Sequence, residues 1–243
     1  HVSYIMYGVL RGLKYIHSAG VIHRDITPSN IILDTNLTAK ITNFNLARPM
    51  EPNGQKTGYV TTRYYRAPEV LFTWQAYSTA LDMWSAGCIL GEILNCIQGN
   101  VTKTFRDDNG NEFPCYALFP ADSHVDHLVS IIKVLGPPPP SVLHTISDAT
   151  LRMFIESKLE GQTSTIWSYF EACGDMHAKS LLNGLLSFDP FVRLSAPTAL
   201  THPYFASYHD PQDEPTRTPI DRSFESRPFT LPEWQACFAA VRT

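Results

Sequence analysis

The sequence predicts one sizeable, mainly helical domain with a few short β-strands near its start, and three patterns carry that expectation. Apolar residues at Val2, Ile5, Met6, Val9, Leu10, Leu13 and Ile16 recur at the spacing of a helix with one buried face. The pattern then changes to short β-branched runs, Val21-Ile22, Ile31-Ile32-Leu33 and Ala39-Lys40-Ile41, split by Pro28 and an Asp34-Thr35-Asn36 turn. Residues 80–94 are apolar almost all round, as in a helix buried at the centre of a domain.

Along the chain, Gly8 sits inside the first helix at a cost of roughly 1 kcal/mol against alanine. That helix is predicted to end at Ala19-Gly20. Residues 48–65 read as a long irregular stretch rich in Thr, Gly and Pro, the kind of loop that is usually functional or disordered. Residues 98–114 are polar and Gly/Asn-rich and read as a surface insertion. Residues 125–135 are helical again and stop at Gly136 and four prolines. Two further helices are predicted over 178–186 and 196–200. From Ala206 the pattern fades into a tail containing Pro and Asp.

Composition narrows the function. The 243 residues are 44% hydrophobic and 17% charged, with a formal net charge of -4 and no basic block, so nucleic acid and anionic membranes are not the expected partners. No apolar run is read as a membrane span and no leader pattern is seen. Five cysteines, Cys88, Cys96, Cys115, Cys173 and Cys237, are scattered with no C-x-x-C pair, which fits free thiols in a reducing compartment. The chain opens on His1, inside a predicted helix, and reads as a fragment of a longer product.

Chemistry concentrates in His23-Arg24-Asp25-Ile26-Thr27-Pro28-Ser29-Asn30, close to H-R-D-x-K-P-x-N. In that pattern an Asp accepts the proton of a substrate hydroxyl, and an Asn five residues on holds magnesium. Alone, H-R-D is equally a salt-bridged surface turn. Ala67-Pro68-Glu69, then Asp82-Met83-Trp84-Ser85-Ala86-Gly87, then Arg193 follow in the order and at the intervals of protein kinases. Thr57-Gly58-Tyr59 precedes Val60-Thr61-Thr62-Arg63-Tyr64-Tyr65-Arg66, a T-x-Y activation segment. Tyr208-His209-Asp210-Pro211-Gln212-Asp213-Glu214-Pro215 precedes Ser223-Phe224-Glu225-Ser226. With these motifs the chain resembles MAP kinases of the stress-activated and fungal high-osmolarity branch.

The resemblance implies a protein-kinase-like fold, a mainly α C-lobe over 1–205 with an insertion near 99–116 and a docking segment and tail over 206–243. It implies ATP-dependent transfer to Ser or Thr followed by Pro, ATP and magnesium as cofactors, and residence in cytoplasm and nucleus. The implied partners are a MAP kinase kinase and docking-motif substrates or phosphatases. It makes Asp25 the proton acceptor, Asn30 a metal ligand and Ile31 part of the nucleotide floor. Thr57 and Tyr59 become the phosphorylation sites. Arg24 and Arg48 would receive the phosphothreonine, and Arg63 and Arg66 the phosphotyrosine, through paired charge-assisted bonds. Glu69, Asp82 and Arg193 become structural, and Asp210, Asp213 and Glu214 an acidic site for basic docking peptides, with Gln212 where another acid is expected.

The pattern is also broken. The sequence holds no G-x-G-x-x-G loop and no strand Lys, so the N-lobe is expected to be absent and Ile31 and Phe44 exposed. Asn43-Phe44-Asn45 stands for D-F-G, so a neutral amide replaces the metal-binding carboxylate. Thr27 replaces the catalytic-loop Lys and with it a positive charge. The expectation is a kinase with impaired phosphotransfer. The rival readings are a non-catalytic binding module that competes for activators or substrates, and a decayed gene fragment. Asp25 then has a second reading as an anchor capping loop amides, and His23 as a core histidine bonded to backbone.

Overall fold

Helix α1 (Val2–Ser18) buries Met6, Tyr7, Val9, Leu10, Leu13 and Ile16, the face that the apolar spacing predicts. It ends where Gly20 adopts φ 73, a left-handed conformation that costs glycine little. The computed structural model describes residues 1–50, 63–72, 78–159, 161, 165–221 and 230–240. Gly8 and Gly12 have a packing reason. A Cβ at Gly8 would lie 3.2 Å from Ala39 Cβ, and one at Gly12 would lie 2.9 Å from Ile41 Cδ1. Their bare backbone lets a strand rest directly on the helix.

That strand is β3 (Ala39–Ile41), paired antiparallel with β2 (Ile31–Leu33) in the register Ile31↔Ile41, Ile32↔Lys40, Leu33↔Ala39. Asp34 closes the turn between them by accepting from the amides of Asn36 and Thr38 at 2.8 and 2.9 Å. Strand β1 (Val21–Ile22) pairs with β4 (Arg48–Pro49), register Val21↔Pro49 and Ile22↔Arg48. The stretch predicted as irregular from residue 48 therefore starts with a strand, and it ends in a 3-10 turn at Arg63–Tyr65.

Helix α2 (Pro68–Phe72) leads to α3 (Ala80–Gln98), the centre of the core. Trp84, fully buried, stacks on Phe119 at 5.6 Å. Helix α3 runs past the predicted residue 94 to the left-handed Gly99, φ 70. At 19 residues it is long and apolar enough, by length and composition, to cross a membrane, which corrects the expectation that no run is. Most of it is buried against its neighbours, as a core helix must be.

The predicted insertion is an ordered hairpin. Strands β5 (Lys103–Arg106) and β6 (Glu112–Cys115) pair antiparallel with Phe105 opposite Phe113, and Asp107 binds the amides of Asn109 and Asn111 across the turn. Helix α4 (His124–Leu135) starts at a Ser123 cap and stops at Gly136, φ 83. Short helices α5 (Pro140–Leu143), α6 (Ala149–Leu159) and α7 (Ile166–Tyr169) follow, none of them predicted. The α7 start had a legible signal, since Thr165 and Ser168 form a reciprocal capping box. Helices α8 (Met176–Leu185) and α9 (Ala196–Leu200) begin at Asp175 and Ser195 caps, close to prediction.

The tail corrects the sequence reading. It does not fade at Ala206. Instead it lies along α1 as a strap, and a further helix, α10 (Leu231–Ala240), follows. The Tyr208 ring meets Tyr4 at 5.3 Å, and the Asp210 amide donates to Tyr7 Oη at 3.0 Å. Farther on, the Arg217 amide donates to Ser18 Oγ at 2.8 Å and the Ile220 amide to the Ala19 carbonyl at 3.1 Å. Glu214, only 6% exposed, accepts from Tyr7 Oη at 2.9 Å, Lys14 Nζ at 3.0 Å and His209 Nδ1 at 2.8 Å.

One ion pair ties α2 to the segment between α8 and α9. Arg193 donates from Nη1 and Nη2 to Glu69 Oε1 and Oε2 at 2.7 and 2.8 Å, and also to the Ala80 and Ser187 carbonyls. Both side chains are buried, so breaking the pair strands a charge. Arg193→Ala is expected to destabilise the chain by about 3–5 kcal/mol, read as a shift in the denaturant midpoint. The strap gives a pH prediction. Burial alone would raise the Glu214 carboxyl, but hydrogen bonds from Lys14, His209 and Tyr7 outweigh it and leave the pKa below 4.5. A lowered carboxylate pKa contributes stability that is present above the unfolded value and is lost as pH falls through the folded value. Thermal melts should show this loss below pH 4.5 in the native chain and a weaker one in Glu214→Gln.

Candidate functional site

The segment 23–30 crosses from β1 to β2, and the buried carboxylate of Asp82 at the start of α3 sets its backbone. Asp82 Oδ2 accepts from the His23 amide and Oδ1 from the Arg24 amide, both at 2.8 Å. Arg24 holds φ 70, which for a residue with a side chain costs of order 1–3 kcal/mol unless the surroundings impose it. Asp82 imposes it. His17 Nε2 lies 2.8 Å from Asp82 Oδ2, a partner that the sequence reading missed. Its only signal there was a polar residue in the last turn of α1.

His23 is fully buried. Its Nε2 meets the Thr42 carbonyl at 3.0 Å, and its Nδ1 accepts from the Asp25 amide at 3.3 Å. These roles suit a neutral ring bonded to backbone.

Asp25, half-buried, is joined to the positions expected to hold metal. Asn30 Nδ2 donates to both the Asp25 carbonyl and Asp25 Oδ2 at 2.8 Å. Asn43 Nδ2 donates to Asn30 Oδ1 at 3.1 Å, and Asn45 Nδ2 donates to Asn43 Oδ1 at 2.8 Å. The side chains thus form a directed chain, Asn45 to Asn43 to Asn30 to Asp25. The Asn43 and Asn30 amide oxygens each accept from the amide before them in this order. Asn43 itself is left-handed, φ 64 and ψ 67, a conformation that Asn tolerates better than most residues.

Magnesium favours several charged or freely available oxygens. Here the donor set is one carboxylate, bonded to Asn30 through one oxygen, and two amide oxygens that each accept one side-chain amide, so the charge among these side chains is that of Asp25. Among the described residues no group of three or more His, Cys, Asp or Glu side chains could hold a metal. Thr27 is 3% exposed and its hydroxyl meets Ser29 Oγ at 2.9 Å, so it offers a buried hydroxyl and no charge.

Ile31, expected to be exposed, is instead half-buried opposite Ile41 because the β2–β3 pairing covers it, while Ile32, Leu33 and Phe44 are 57%, 41% and 49% exposed. Phe44 was expected to be exposed, and its ring edge rests on His23 at 4.8 Å. The β1–β4 pairing brings Arg48 opposite Ile22, two residues from Arg24. Arg48 is exposed and donates to the Ala47 carbonyl, whereas Arg24 and Arg66 are buried. Arg63 opens the 3-10 turn. Thr57 and Tyr59 lie outside the described residues.

The acidic cluster is not one surface. Asp213 is exposed and bonds Arg11 at 2.7 Å, and Asp210 caps the turn at Pro211–Asp213 by accepting from the Gln212 amide. Glu214 faces inward and is spent on Tyr7, Lys14 and His209, because burial of a carboxylate requires such donors. The expectation that it meets a docking peptide is corrected accordingly.

Comparison with known proteins matches this arrangement. The protein kinase domain family covers residues 1–205. "Mitogen-activated protein kinase mpkC" of Aspergillus oryzae is 45% identical over 234 residues, covering 96% of this chain and 62% of its own length. "Mitogen-activated protein kinase HOG1" of Scheffersomyces stipitis is 45% identical over 238 residues, with 96% and 56% covered. The HOG1 kinase of Candida albicans is 44% identical over 238 residues, with 96% and 57% covered. The chain therefore spans about three-fifths of the length of the curated relatives it matches. By the kinase-domain match and by this identity over nearly all its residues, the chain belongs to the protein kinases, among the fungal HOG1-type MAP kinases.

Proposed function

We propose that the chain serves as the substrate-side lobe of a stress-type MAP kinase in which ATP- and magnesium-dependent transfer to Ser/Thr-Pro sequences is impaired, while binding of signalling partners persists. The observation that carries this is the amide chain from Asn45 to Asp25, which occupies with neutral groups the oxygens a metal would need. The partners proposed are a MAP kinase kinase, acting on Thr57 and Tyr59, and proteins with basic docking motifs, whether substrates or phosphatases. Cytoplasm and nucleus are the proposed compartments.

A second reading keeps the activity of a serine/threonine kinase. It is favoured by Asp25 standing on a loop whose backbone Asp82 holds, and by the left-handed backbone of Asn43. A decayed, functionless product is the third reading, and the buried, fully paired Arg193 and Glu69 speak against a lobe that has lost its fold.

Two measurements separate these readings. In a kinase assay with magnesium, ATP and a Ser-Pro substrate, the native chain and the Asn43→Asp/Thr27→Lys variant are both expected at background. The two substitutions restore a ligand and a charge, yet positioning of the nucleotide is worth roughly 7 kcal/mol or more and would have to come from outside this chain. Transfer by the native chain that disappears in Asp25→Asn would overturn the proposal. For partner binding, a basic docking peptide should bind weakly through Asp210 and Asp213, with affinity falling as salt rises. Charge reversal at both should abolish it. Binding indifferent to salt and to reversal points to a different surface.

A further inference from the structure

The sequence contains two Thr-Pro dipeptides, Thr27-Pro28 and Thr218-Pro219. The structure separates them sharply. Thr27 is 3% exposed, with its hydroxyl on Ser29. Thr218 is exposed, as are its neighbours on both sides from Pro215 to Asp221, and its hydroxyl makes no hydrogen bond among the described residues. It lies in the strap, in a stretch without helix or strand. A residue before proline is restricted to extended conformations, which is the form in which a peptide is read by an enzyme that grips its backbone. We propose that Thr218 is a phosphoacceptor for a proline-directed protein kinase, and that its phosphorylation releases the strap from the C-terminal end of α1.

In the transfer, Thr218 Oγ forms a bond to the γ-phosphorus of ATP and the bond from that phosphorus to the ADP oxygen breaks. The hydroxyl proton leaves to the kinase's own base. ATP and the modifying kinase are supplied from outside. Neither the loop at Asp25 nor any metal in this chain takes part.

The consequence follows from where the strap is fastened. Two bonds bracket Thr218: the Arg217 amide to Ser18 Oγ at 2.8 Å, and the Ile220 amide to the Ala19 carbonyl at 3.1 Å. Both acceptors sit at the last turn and cap of α1, where the helix presents carbonyls and the negative end of its dipole. Pro219 packs against Gly20, whose added Cβ would touch Pro219 Cβ at 3.8 Å. A phosphate carries close to two negative charges at neutral pH, and beside a helix C-terminus these are repelled. Arg217, whose Nη1 is 3.4 Å from Tyr15 Oη, has a nearer and stronger partner in the new phosphate and is drawn off α1. The anchor at Glu214, with Tyr7, Lys14 and His209, lies upstream and makes none of these contacts, so it should hold.

The test uses the full chain, an active proline-directed kinase and magnesium-ATP, with phosphate located by tandem mass spectrometry. Phosphate on Thr218, lost in Thr218→Val and in Pro219→Ala, is the expected result, with Thr27 unmodified. A chain left unmodified at Thr218, when a free peptide of residues 213–222 is phosphorylated in parallel, overturns the assignment. Labelling of Thr27 and Thr218 alike overturns selection by exposure. Amide hydrogen exchange then tests the release. Ile220 and Arg217 should exchange several-fold faster in the phosphorylated chain, while the Asp210 amide stays unchanged. Unchanged or slower exchange at Ile220 overturns the release.

Discussion

A carboxylate with 1% exposure, Asp82, accepts the amides of His23 and Arg24 and contacts His17, and so fastens three separate segments at one point. Its place in the first turn of α3 favours the negative charge, because the helix N-terminus presents unpaired N–H groups. Without it two buried amides would be left unsatisfied, at about 1–3 kcal/mol each, and the left-handed Arg24 would lose what holds it. The β1 and β4 strands and the placement of Asp25 all inherit their geometry from this contact. Arg193 and Glu69 perform a similar service beside the same end of α3, where Arg193 bonds the Ala80 carbonyl and lies over Trp84 at 5.1 Å.

Around that fixed frame the chain keeps shape and exchanges charge. Asn43 has a left-handed backbone and reaches Asn30, which reaches Asp25, so two neutral amides and one carboxylate are joined by side-chain hydrogen bonds. The hydrogen bonds are compatible with one another because amides donate and accept at once, whereas facing carboxylates would repel without a cation between them.

The strap joins these two themes. Residues read in the sequence as one acidic patch are divided by packing into an exposed Asp213, a turn-capping Asp210 and a buried Glu214. Burial decides which charges are available to a partner and which hold the tail on α1. The sequence carries no record of that division, since the three residues differ little in kind.

What the sequence by itself determined was everything that depends on local periodicity and on motifs of fixed spacing: α1, α3, α4, α8 and α9, the three early strands, and the identity and order of the catalytic-loop residues. These are legible because apolar spacing and caps act within a few turns of chain. Tertiary structure alone decided the β4 strand that sets Arg48 beside Ile22, the hairpin at 103–115, the short helices α5 and α6, and the course of the tail along α1. It also decided that Asn45, silent in the sequence beyond its lost glycine, closes the amide chain, and that His17 meets Asp82. Each of these rests on a contact between residues far apart in the chain or on a side-chain direction. Neither is fixed until the core around α3 has assembled.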